Sequence, residues 1–262
     1  MTDGRAVTSW TPAPGAAPVW RATLAQAAME LRLTARRGEN LLVTLVIPVA
    51  LLVFFATVNV LPTTTARPID FLLPGILALA VISTSLVNLG IATAYERAYG
   101  VLKRLGGSPL PRGGLVAAKI FAVVAIELVQ LALLVAIAAL GFGWTPGPGA
   151  SLTVVLAALG SGTLAFAGLG LLMAGTLRAE ATLAGANGLY LLLLLVGGVV
   201  VPVDQLPALL GDIARLLPAA ALADALRIGL GMSAGNAVGP LALVLAWGIV
   251  TSLLAIKLFR WE

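Results

Sequence analysis

Glu127 is the residue most favourably placed to do chemistry. It lies near the middle of a long apolar segment, with Gln130 one turn on and Lys119 about two turns before it. An acid at the centre of a bilayer costs on the order of 2.5 to 3.5 kcal/mol on insertion scales, which the surrounding Leu, Val and Ile residues can offset. Such a group must face a helix bundle or a wet cavity. Two readings stay open: Glu127 and Gln130 as a substrate-path or proton-linked pair, or an acid that makes an interhelical hydrogen bond. The other concentration of polar groups is 95–119, which carries Glu96, Arg97, Lys103, Arg104, Arg112 and Lys119 between two greasy runs.

What is missing narrows the chemistry further. The 262 residues include no cysteine and no histidine, so disulfides, thiolates, the commonest metal ligand and the usual neutral-pH base are absent. No catalytic residue and no metal ligand is assigned. A phosphate-binding Walker A loop needs G-x-x-x-x-G-K-[ST], because glycine amides cradle the phosphates and the lysine reaches them. None of Lys103, Lys119 or Lys257 follows a glycine. No cofactor is expected on this chain, and energy for any transport must come from a partner subunit or an ion gradient.

The chain that positions these groups is 60% hydrophobic and 10% charged, with a mean hydropathy of +1.06. Soluble domains carry about 25% charged residues, so this composition belongs to a membrane protein. The net charge of +5 would point to nucleic acid in a soluble chain. Here it follows loop placement, and no nucleic-acid partner is expected. Apolar segments at 41–61, 71–94, 115–140, 152–177, 183–203 and 238–258 each approach the roughly 20 residues that cross a bilayer. Lipid offers backbone groups no partners, so each segment is expected to be helical. Of the 16 Lys and Arg residues, only Arg67, Arg215 and Arg227 fall on one side of this six-span arrangement. The positive-inside rule then places both termini and 95–119 in the cytoplasm. Arginine in place of lysine, with abundant Ala and Gly, points to a bacterial cytoplasmic membrane.

Shorter elements complete the expected fold, an all-α integral membrane domain over 39–262. The Pro, Ala and Gly-rich residues 1–19 are read as a disordered tail. Residues 20–38 read as an amphipathic interfacial helix, with Trp20, Leu24, Ala27 and Leu31 on one face and Arg21, Arg32 and Arg36 flanking it. Between spans two and three, 96–105 reads as a short amphipathic helix on an Ala98, Leu102, Leu105 stripe. Gly106 and Gly107 supply a left-handed cap, and Pro109 and Pro111 prevent the helix from resuming. That loop is either a lever parallel to the membrane or a solvated basic loop. Between spans five and six, Leu206, Leu209, Leu210, Ile213, Leu216 and Leu217 repeat with helical spacing between Pro207 and Pro218. A second apolar stretch at 219–230 carries Asp224 and Arg227. The pair reads as re-entrant or interfacial helices capping the outer mouth.

Glu96-Arg97, Gly100, Leu102-Lys103-Arg104-Leu105 and Ser108-Pro109-Leu110, with Lys119 opening the next span, form an ordered pattern. It resembles the E-R-x-x-G-x-L-K-R-L-x-x-x-P-L pattern of ABC transporter permeases of the type-2 exporters, among them daunorubicin-resistance and polysaccharide-export permeases. The likeness continues at Leu73-Pro74-Gly75, Gly197-Gly198 to Pro202, Leu206-Pro207, Leu217-Pro218 and Ala225-Leu226-Arg227. Gly106-Gly107 departs from it, standing where family members more often carry bulkier or charged residues. The resemblance implies that Glu96, Arg97, Gly100, Leu102, Lys103, Arg104, Leu105, Pro109 and Leu110 couple the chain to a separate cytoplasmic ABC ATPase. It also implies that Pro202, Leu206, Pro207, Pro218 and Arg227 belong to an outer gate. Two ATPase copies would hold the ATP and Mg²⁺, and a second permease, identical or similar, would complete the transporter in the lipid membrane. The implied cargo is amphiphilic: a drug, lipid or lipid-linked glycan. A secondary transporter using an ion gradient through Glu127, and a non-transporting membrane scaffold, remain as alternatives.

Overall fold

The computed structural model describes residues 17–36, 38–58, 67–108, 110–199 and 201–260. Residues 1–16 of the expected tail, Arg37, 59–66 at the first outer turn, Pro109 and Val200 lie outside the described residues. Every regular element among the described residues is helical. In chain order these are α1 (Val19–Arg36), α2 (Gly38–Thr57), α3 (Pro68–Ile82), α4 (Leu89–Ala98), α5 (Val101–Gly106), α6 (Arg112–Phe142), α7 (Leu152–Thr176), α8 (Ala179–Val196), α9 (Ala208–Leu216), α10 (Pro218–Gly229) and α11 (Val238–Leu258). A π-helical turn, Ser83–Asn88, joins α3 to α4 without a break. Among the described residues, five helices are long and apolar enough to cross a membrane: Pro68–Ala98, Gly113–Phe142, Leu152–Thr176, Ala179–Val196 and Val238–Leu258. The first expected span, 41–61, corresponds to α2, whose apolar run over Thr44–Thr57 is shorter.

The centre of the molecule is α3. Its sequence, PIDFLLPGILALAVI, is apolar all round, and such a helix is stable only when wrapped on every side. It packs against α2, α6, α7 and α10, and nearly all of its residues are buried. Pro68 occupies its first turn, where a missing N–H costs nothing, and Arg67 Nε donates to Asp70 Oδ2 at 3.1 Å. Below it, Gly90 and Gly170 let α4 and α7 cross with their backbones in contact. A Cβ on Gly90 would lie 3.1 Å from Gly170 Cα. The longest seam runs between α7 and α11, and α10 fills the space among α3, α7 and α11.

Two features depart from the sequence expectation. On α1 the packed residues are Thr23 and Ala27, set against α6, while Trp20, Leu24, Met29 and Leu33 are exposed. Of the expected stripe, Trp20 and Leu24 are exposed, Leu31 is half-buried and Ala27 is buried, so the four do not share one environment. The helix instead presents small and polar groups to α6, where the glycine at 114 leaves room for Thr23. Its large apolar side chains are left on the outer surface, as an interfacial helix requires. The second departure lies in the α4–α5 region, described next.

Candidate functional site

The expected single helix over 96–105 is two helices. Glu96 and Arg97 belong to the last turn of α4, which ends at Ala98, and Gly100 then adopts φ +69°. A left-handed residue cannot continue a right-handed helix, and only glycine takes that conformation without steric cost. The chain re-enters a helix as α5. Its end also differs from expectation: Gly107 has φ −84°, not a left-handed value. The Gly107 N–H donates to Arg104 O at 3.2 Å, and Ser108 Oγ donates to Leu105 O at 2.6 Å. Pro111 then leads directly into α6.

This geometry separates the expected coupling residues into two sets. Leu102 is buried, Leu105 and Leu110 are half-buried, and Lys103 and Arg104 are exposed together with Tyr99 and Val101. Glu96 and Arg97 are occupied within the chain. Arg97 Nη2 donates to the Leu177 carbonyl at the end of α7. Lys119 Nζ on α6 donates to Glu96 Oε2 at 2.6 Å and to Glu30 Oε1 on α1 at 3.0 Å. Only 4% of the Lys119 side chain is exposed. One ammonium thus ties three helices together directly beside α5. Glu30 is not singled out in the sequence; its one hint is an acid seven residues after Thr23, on the same face of α1.

At mid-depth, Glu127 Oε1 accepts from Ser85 Oγ on the π-helical turn, and Oε2 accepts from Thr163 Oγ1 on α7 at 2.7 Å. One turn on, Gln130 Oε1 accepts from Thr84 Oγ1 at 2.8 Å, and its Nε2 donates to Thr44 O on α2 at 2.8 Å. Glu127 is 4% exposed and Gln130 1%, and neither is among the residues that line the cavities of about 590 and 520 Å³. The cavity that does reach this region has a volume of about 590 Å³ and lies among α2, the π-helical turn, α4 and α8. Thr44, Ser83, Asn88, Tyr95, Glu96, Tyr99, Asn187 and Tyr190 supply its polar lining, and Ile47, Val87, Ile91, Ala92, Val101 and Leu183 its apolar lining. The signal that could have located it is the pair of asparagines, Asn88 and Asn187, within otherwise apolar spans.

A family model, described as the ABC-2 type transporter, matches residues 22–230. The chain belongs to the ABC-2 type transporter family. No curated protein matches it. An ABC-2 membrane domain is a permease and not itself an ATPase. Membership accordingly brings a multi-pass membrane setting and association with an ABC ATPase subunit.

At the other end of this ABC-2 domain, the expected gate residues occupy two different settings. Pro207 precedes α9 and is exposed, Pro202 and Leu206 are half-buried at the edges of a 3₁₀ turn (Val203–Gln205), and Pro218 opens α10 and is buried. Arg227 is buried on α10. Its Nη1 donates to Asp224 Oδ1 at 2.8 Å, its Nη2 donates to Gly198 O, and its guanidinium lies 4.2 Å from the Phe71 ring centroid on α3. It braces α10 against α3 and against the chain that follows α8. The large apolar residues exposed on α9 are Leu209, Leu210, Ile213 and Leu216.

Proposed function

We propose that this chain is the permease of an ATP-driven exporter in a bacterial cytoplasmic membrane. Two copies, or one copy and a similar chain, would work with two ATPase subunits that hold the ATP and Mg²⁺. The observation that carries this reading is α5: a short helix presenting Lys103 and Arg104, set off by Gly100 and anchored beside the Glu30–Lys119–Glu96 triad. Such a helix offers an ATPase a small basic docking surface whose movement is passed at once to α1, α4 and α6. Within it, Tyr99, Lys103 and Arg104 contact the partner. Glu96 and Arg97 act from behind by holding the segment in place.

In this reading α2 is the first of six spans, α1 lies on the cytoplasmic surface, and α9 and α10 cap the outer mouth. The cavity among α2, α4 and α8, with three tyrosines and two asparagines on mainly apolar walls, fits an amphiphilic cargo. Glu127 supports the ion-gradient alternative poorly, because both carboxylate oxygens are engaged inside the bundle.

The decisive measurement is co-purification of the candidate ATPase with native chain and with Arg104→Glu. Charge reversal at a docking surface costs up to several kcal/mol, so ATPase recovery should fall at least about tenfold at equal permease yield. Equal recovery of ATPase would remove α5 as the docking element. Orientation is checked separately, because the native chain has no cysteine. Ser108→Cys should react with an impermeant thiol reagent only from the cytoplasmic side, and Ser233→Cys only from outside. Labelling of both from one side would overturn the six-span arrangement.

A further inference from the structure

A second crevice, of about 520 Å³, lies among α4, α5, α6, α7 and α11, away from the cavity assigned to cargo. Its lining is apolar apart from Thr93, Lys119 and Ser252. The two helices at its mouth pack elsewhere, α6 on α1 and α3, and α11 along α7. Ile256, 75% exposed, stands on the rim, so the crevice opens toward the bilayer and is filled from it.

Two observations specify the occupant. Lys119 is already held by Glu30 and Glu96, so the crevice offers no spare positive charge to an anionic headgroup. Thr93, 1% exposed, has a hydroxyl with no hydrogen-bond partner, a donor in need of an acceptor. Depth identifies the acceptor. Thr93 lies about 15 Å from the middle of the Pro68–Ala98 span at 1.5 Å per residue. Half of a hydrocarbon core roughly 30 Å thick is the same distance, which is where acyl chains meet their ester groups.

We propose that this crevice seats one acyl chain of an inner-leaflet glycerophospholipid, with the ester carbonyl accepting from the Thr93 hydroxyl. The lipid is a resident component and not the cargo. Leu102 of α5 also lines the crevice, so the seated lipid lies against the docking helix. Assigning the inner leaflet rests on the orientation proposed above; the seat itself does not.

The test uses the full-length chain in symmetric vesicles of phosphatidylethanolamine and phosphatidylglycerol. These contain a phosphatidylglycerol with a diazirine in its acyl chain, and photolabelled peptides are mapped by mass spectrometry. Labels should concentrate on Val116, Ile120 and Ile256 over Phe121, Leu128 and Val129, which are exposed on α6. Gly113 lines the crevice and a Cβ there meets no atom within 4 Å, so Gly113→Leu adds bulk at the crevice wall with no clash at its Cβ. It should reduce crevice labelling about tenfold, as misfit in an apolar pocket does. Thr93→Val should reduce the preference for an ester-linked over an ether-linked probe about fivefold, the worth of one hydrogen bond. Ile256→Trp at the rim provides the same block should Gly113→Leu fail to fold. Labelling spread evenly over the exposed face of α6, unchanged by either blocking variant, would overturn the proposal. So would equal labelling by the two probes in the native chain. Neither readout depends on an ATPase, so such a failure would leave the permease reading standing.

Discussion

Lys119→Ala is expected to abolish ATP-driven transport and to lower the melting temperature of the purified permease more than any other single change considered. The substitution removes the ammonium that Glu30 and Glu96 share in a largely buried site. Breaking a buried ion pair by removing one partner costs about 3–5 kcal/mol, because the remaining charge is uncompensated. A triple variant, Glu30→Leu, Glu96→Leu and Lys119→Met, separates stability from coupling. Replacing a whole buried ionic cluster with apolar groups is often neutral or stabilising, so melting should return to near the native value. If the triad transmits force between α1, α6 and the α4–α5 turn, transport should stay low although the protein is folded. Full recovery of transport in the triple variant would reduce the triad to a packing device.

Glu127→Ala is the second large effect. It removes the acceptor of Ser85 at the π-helical turn, whereas Thr163 keeps an alternative acceptor in the Leu159 carbonyl at 2.8 Å. Stranding one buried donor costs about 1–3 kcal/mol. Interhelical hydrogen bonds in membranes average nearer 0.6 kcal/mol, so the lower half of that range is expected. Glu127→Gln should behave differently. Its amide oxygen still accepts from Ser85, and its NH₂ can donate to Thr163 once that hydroxyl turns to Leu159. Melting of the Gln variant should match the native chain, and so should export measured at several pH values. Loss of export by Glu127→Gln at unchanged melting would return the residue to the transport path.

The helical, membrane-bound character of the chain was legible from composition, because runs such as the α3 sequence allow no other stable setting. Contacts between distant helices were not. Glu30, Glu96 and Lys119 are far apart in sequence, and nothing in their local patterns requires them to meet. On α1 the sequence groups Ala27 with Trp20 and Leu24 on one apolar stripe, although Ala27 packs inward; in a soluble helix the large apolar residues would do so. Beside a bilayer the reverse can hold, and small residues such as Thr23 and Ala27 pack inward while Trp20 and Leu24 meet lipid. The break at Gly100 was hidden inside a helical stripe, since a glycine there is compatible with either a continued helix or a left-handed turn. The π-helical turn leaves no periodic mark over only six residues, Ser83–Asn88. Glu127 was found by its cost in lipid, but its partners Ser85 and Thr163 look unremarkable in sequence.

The contact between Gly90 and Gly170 gives the route from α5 to mid-depth an unusual stiffness. Side chains at a helix crossing act as a compliant layer, since rotamers can shift and absorb a small displacement. Where two backbones touch, that layer is absent, and α4 can slide or pivot on α7 but cannot sink into it. The left-handed turn at Gly100 is the compliant joint, so bending gathers there while α4 moves as a solid rod. A push of an ångström at one end should therefore reach Ser85 and its neighbours nearly undiminished. In mechanical terms the proposed docking element sits at the slack end of a stiff rod.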